Sequence, residues 1–146
     1  MAQIGMNDIK HLKVQMKDNT IKDCIIMLSD GPPWKLFFSG VELGVQEFVC
    51  EDIFESLRAL REELEKIDAK ALCAGARPEV FPSGMAREMS GGRKAYITRL
   101  GFPSLRTDLV DIFDYADPGK VGSVAQQNAF HKQWIDSLLR QNPRCG

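Results

Sequence analysis

Four cysteines and two histidines are the side chains most able to do nucleophilic or metal chemistry, and their spacing favours neither. Cys24, Cys50, Cys73 and Cys145 fall at intervals of 26, 23 and 72 residues, and neither His11 nor His131 is near any of them in sequence. The short knuckle spacings of a zinc site are absent, so no metal is expected. Cys24, Cys50 and Cys73 lie in or beside apolar runs and are expected to pack as small reduced hydrophobes. Cys145, next to the C-terminus, is expected to be exposed. Unpaired thiols fit a cytosolic protein. A nucleophile also needs a positioned base. His131 follows Phe130 and precedes Trp134, which places it at the edge of a packed helix face rather than in a catalytic pair.

Residues 75–94 form the most distinctive stretch, punctuated by Pro78, Pro82, Gly84, Gly91 and Gly92. A phosphate loop ends in Gly-Lys-Ser/Thr and opens a helix. Here Gly91-Gly92-Arg93-Lys94 leads to Ala95 and an apparent strand, so that signature fails. Ser83-Gly84 is no nucleophile elbow, because Phe81 stands where G-x-S-x-G needs its first glycine. Two outcomes are open for Arg77, Arg87, Arg93 and Lys94. Paired with Asp108, Asp111 or Asp114 they are structural, which is the favoured arrangement. Unpaired and converging, they form an anion site. Phe81, Met85 and Met89, four residues apart, are expected to anchor this segment, with both methionines in the core.

Charge is distributed in blocks. Residues 42–68 carry nine acids and three bases, a net of −6; residues 108–117 carry four acids and no base; residues 77–106 carry six bases against two acids, a net of +4. These blocks either cancel against one another and solvent, or steer a charged partner into a fixed orientation. On the second view the partner-binding candidates are Asp52, Glu55, Glu62, Glu63, Asp111, Asp114 and Asp117. The acidic spacing around Asp111 is not that of a calcium loop. A two-carboxylate acid–base site stays open, since sequence does not show which acids converge.

The elements that must position these groups follow from periodicity. Residues 1–20 fit a short amphipathic helix, a strand or a loose arm, because Ile9, Leu12 and Met16 share a helical face while Lys13-Val14-Gln15-Met16 alternates. Residues 21–28, 34–39 and 45–50 read as three strands joined by tight turns, an antiparallel meander. Asp52 opens the clearest helix, with Glu55 three residues on as in a capping box. Ile53, Leu57, Leu60, Leu64 and Ile67 form its apolar stripe, and Arg58, Arg61, Glu62, Glu63, Glu65 and Lys66 fill its other faces. Short strands are expected at residues 71–74, 94–100 and 109–113, with one helical turn near Met85–Met89. Ser123 caps a last helix whose inner face holds Val124, Gln127, Phe130, Trp134 and Leu138, with Ile135 beside them and Asn142-Pro143 as its stop. Strands clustered first argue for an α+β fold, a mostly antiparallel sheet with two main helices packed on one face.

Composition agrees with this class. The chain has 146 residues, 44% apolar and 27% charged, with a net charge of −1. One domain spanning residues 1–146 is the default at this length, large enough to bury roughly two-thirds of its surface without a metal or disulfide staple. Near-neutral charge argues against a general nucleic-acid binder. The N-terminal residues lack the basic and apolar regions of a signal peptide, and no apolar run approaches the roughly 20 residues that span a bilayer. A soluble cytoplasmic protein without a cofactor is expected.

Residues 75–100, followed by Leu109-Val110-Asp111-Ile112-Phe113 and a terminal helix with Phe130 and Trp134, resemble small bacterial proteins that look like the immunity proteins of polymorphic or contact-dependent growth inhibition toxin systems. The resemblance covers roughly the second half of the chain and lies at the level of fold. It implies a non-enzymatic inhibitor that occludes a cognate toxin domain, for which a nuclease with a basic cleft would suit the acidic blocks. The alternatives are a small cytosolic enzyme or ligand-binding domain that takes an anionic substrate through residues 77–94, and an adaptor that uses a sheet edge.

Overall fold

A computed structural model describes residues 8–141. The earliest part of the N-terminal arm, the Asn142-Pro143 stop and Cys145 lie outside them. The ambiguous N-terminal segment forms strand β1 (Asp8–Gln15). It is followed by β2 (Ile21–Leu28), β3 (Trp34–Gly40) and β4 (Gly44–Cys50), the expected meander. Helix α1 (Ile53–Glu65) comes next, then β5 (Lys70–Ala71), β6 (Val80–Phe81), helix α2 (Gly84–Ser90), β7 (Lys94–Ile97), β8 (Leu109–Asp111) and helix α3 (Val124–Gln141). β7 ends early because residues 98–108 bend through a Gly101–Phe102 turn and a 3-10 segment (Arg106–Asp108), and β8 ends early because Ile112 and Phe113 enter a turn.

Two antiparallel sheets result, one of five strands in the order β4-β3-β2-β1-β5 and one of three in the order β6-β7-β8. This is an α+β fold with a mostly antiparallel sheet. Pairing of Leu12 with Cys24, Ile26 with Phe38 and Leu28 with Leu36 puts one set of apolar side chains on the inner face. The period of two then sends Ile9, Ile25, Val45 and Val49 to the opposite face, where they are exposed. The inner face meets α1, whose Ile53, Leu57, Leu60 and Leu64 are fully buried. One contiguous core continues from there into Val80, Ala95 and Ile112 of the smaller sheet region.

The stripe on α1 is wider than its spacing suggests. Phe54 and Arg61 are buried as well. Arg61, read as part of the polar surface, instead donates to the carbonyls of Gly75 and Gly122 and to Gln127 Oε1. The Gln127 Nε2 group in turn donates to the carbonyls of Gly75, Arg77 and Val80. These two side chains tie α1, the segment after β5 and α3 together through backbone carbonyls. Ser123 Oγ accepts from Gln126 N at the start of α3, the expected cap. Along α3, Val124 and Gln127 are buried, whereas Phe130, Trp134 and Leu138 are half-buried and Ile135 is exposed. The helix therefore docks mainly through its first turns.

Candidate functional site

The sequence-derived acids divide into groups with different surroundings. Asp52 caps α1, its Oδ1 accepting from Glu55 N at 2.9 Å, while its Oδ2 accepts from Arg87 Nη1 at 2.7 Å. It is only 5% exposed, so it is not a steering charge. Glu55 Oε2 accepts from Arg87 Nη2 at 3.1 Å and from Arg58 Nη1 at 3.3 Å. Glu63 is engaged by Lys66, and Glu62 is exposed with no ion pair among the described residues. Asp111 Oδ1 accepts from Phe113 N, which fixes the turn after β8, and Asp114 and Asp117 are exposed away from any described ion pair.

The three arginines of the distinctive segment are paired, but with none of the acids expected to hold them, Asp108, Asp111 or Asp114. Arg77 holds Glu79, Arg87 holds Asp52 and Glu55, and Arg93 holds Asp8. Lys94 is exposed without an ion pair among the described residues. In the Asp108–Asp117 stretch, Asp108 takes its cation from Arg99, outside the set expected to supply it. Sequence proximity does not decide the pairing, because Arg93 and Arg87 reach carboxylates on β1 and at the start of α1 that lie 85 and 32–35 residues away along the chain.

Met85 and Met89, expected in the core, lie on the surface. They are 69% and 79% exposed, because α2 turns Ala86 inward and Arg87 toward the ion pairs. The anchor is Phe81. Its ring meets Phe54 edge-on at 5.3 Å and stacks on His131 at 3.7 Å, while the guanidinium carbons of Arg58 and Arg87 stand 5.3–5.9 Å from the Phe54 and Phe81 centroids. Arg58 also reaches Asn128 of α3. Burial, and then the cations of Arg87 and Arg58, hold the His131 imidazole below its ordinary pKa. Its Nδ1 is buried with no hydrogen-bond partner among the described residues.

Gly91 and Gly92 seat α2 on α1. Ile53 N donates to Gly91 O at 2.7 Å, and both glycines have positive φ, 63° and 79°. A Cβ on Gly91 would fall 2.4 Å from the Trp34 ring. The glycines thus serve a left-handed turn and a close backbone approach.

Around this fixed centre the surface is acidic. Two adjoining shallow depressions share Glu51 and Glu55: one also takes in Arg58 and Glu62, the other Asp52, Arg87 and Glu88. Five acids against two bases give these lining side chains a net charge of −3. Glu51, Glu62 and Glu88 are exposed and have no ion pair among the described residues. Glu51 and Glu88 were not singled out from sequence. Glu88 sits in a block whose net charge is positive, so counting by segment concealed it. Among the described residues no three His, Cys, Asp or Glu side chains group as a metal site, and no helix is long and apolar enough to cross a membrane.

No protein-family model matches the chain, and no curated protein matches it either.

Proposed function

We propose that this chain is a non-enzymatic inhibitor, an immunity protein that binds and neutralises a cognate bacterial toxin domain in the cytoplasm. The supporting observation is the acidic surface on which Glu51, Glu62 and Glu88 surround the Asp52–Arg87–Glu55–Arg58 cluster. The inner ion pairs hold the frame rigid. The outer carboxylates keep their charge free for a cationic partner and draw it in by long-range attraction. A toxin nuclease has such a surface, because its cleft must accept a phosphate backbone. The reading as an enzyme or binding domain for an anionic substrate has less support, since Arg77, Arg87 and Arg93 turn to separate carboxylates and do not converge.

Co-expression with the C-terminal domain of a large secreted protein encoded upstream tests the proposal. A stoichiometric complex and restored growth are expected. Absence of both contradicts it.

A further inference from the structure

The C-terminal turns of α1, the end of β1 and the chain entering α3 line an open-mouthed cavity of about 670 Å3, within the size range of small-molecule sites. Arg61 forms part of its wall, although only 3% of the residue is exposed. Its acceptors are all neutral: Gly75 O at 3.1 Å and Gln127 Oε1 at 2.7 Å from Nη1, and Gly122 O at 3.2 Å from Nη2. A guanidinium carries five N–H groups. The Nε–H and one Nη2–H therefore have no acceptor among the described residues, and Nε is not one of the sealed, unpartnered atoms of the fold. A buried cation with no carboxylate directly on its donors is costly; burial presses this guanidinium below its ordinary pKa, and the nearby charges of Glu65 and Glu62 offset that only in part.

Each acid in the wall has a partner other than Arg61. Glu65 Oε2 accepts from Val124 N at 2.9 Å, and Asp68 faces Lys17 at 3.8 Å. Lys17 and Lys70 stand exposed at the mouth. Three cations against two acids leave a net charge of +1 on the lining, which suits a monoanion better than a dianionic phosphate. The unused donors sit on neighbouring nitrogens of one planar fork, an arrangement that matches a carboxylate.

We propose that this cavity binds a small molecule through one carboxylate, gripped by Nε–H and Nη2–H of Arg61 with Lys17 and Lys70 at the entrance. The site is separate from the acidic surface.

The test follows the Arg61 Nε–H signal by NMR in the intact wild-type chain, which avoids any folding defect of an Arg61 variant. Acetate, glycine and glutamate are each added to about 10 mM, enough to load a site of millimolar Kd, with chloride and inorganic phosphate as matched controls. The expected result is a saturating shift with at least one carboxylate and none with the controls. The Lys70→Glu variant should weaken that binding about five-fold, because it reverses a charge at the mouth. No saturating shift, a shift shared by phosphate or chloride, or unchanged affinity in Lys70→Glu overturns the proposal.

Discussion

Arg87 Nη1 donates to Asp52 Oδ2 at 2.7 Å, across 35 residues of chain. This contact joins the short helix α2 to the carboxylate that caps α1. It neutralises the acid nearest the helix end and leaves Glu51, Glu62 and Glu88 as the free charges of that face. Asp52 and Glu55 are thus committed to holding the fold, and the proposed partner binding would fall to the exposed acids around them.

Asp52→Ala removes both the cap and the ion pair, so it should cost about 2–3 kcal/mol of unfolding free energy. Asp52→Asn keeps a capping oxygen and should cost less. Urea denaturation of the two variants checks the order. Equal losses would mean that the cap contributes nothing.

Gly91→Ala forces a side chain into a left-handed backbone (φ 63°) and against the Trp34 ring. A loss of about 2 kcal/mol or more is expected. Gly84→Ala, where a Cβ meets nothing within 4 Å, should stay within about 0.5 kcal/mol of wild type. Thermal melts of the pair decide it. Similar Tm values would contradict the close approach.

His131 has a folded-state pKa below its unfolded value of 6.5. The unfolded chain then binds the proton more tightly, so its contribution to stability is intact above pH 6.5 and is lost as pH falls through the folded value. His131→Phe keeps a ring against Phe81 and removes the titration. Its stability should fall less than that of wild type between about pH 7.5 and about pH 5.5. The same fall in both proteins would contradict the lowered pKa of His131.

The meander, the capped α1 and the Ser123 cap were legible because each rests on local chemistry: a period of two, a period of near four, a carboxylate or hydroxyl facing free backbone N–H groups. What was not legible depends on contacts between distant segments. Arg61 carries a charge that marks it for the surface, yet three acceptors made available by the Gly75 and Gly122 turns and by α3 hold it inside. Met85 and Met89 have the spacing of an anchor, but a seven-residue helix has room for one inward face, and Ala86 and Arg87 occupy it. The acidic candidates were half legible. Glu62 is free as the charge count implies, whereas Asp52 is consumed by a cation whose position no local pattern reveals.

The most direct measurement is the association rate of the chain with the partner proposed for it, a toxin domain with a basic cleft, for wild type and for the triple variant Glu51→Lys, Glu62→Lys, Glu88→Lys, at low and high salt. The triple variant should fold like wild type, because the three side chains hold no ion pair among the described residues. Its association should be at least about ten-fold slower at low salt, and the difference should shrink as salt screens the field. Equal association rates for the two proteins at low salt would contradict the role assigned to the acidic surface.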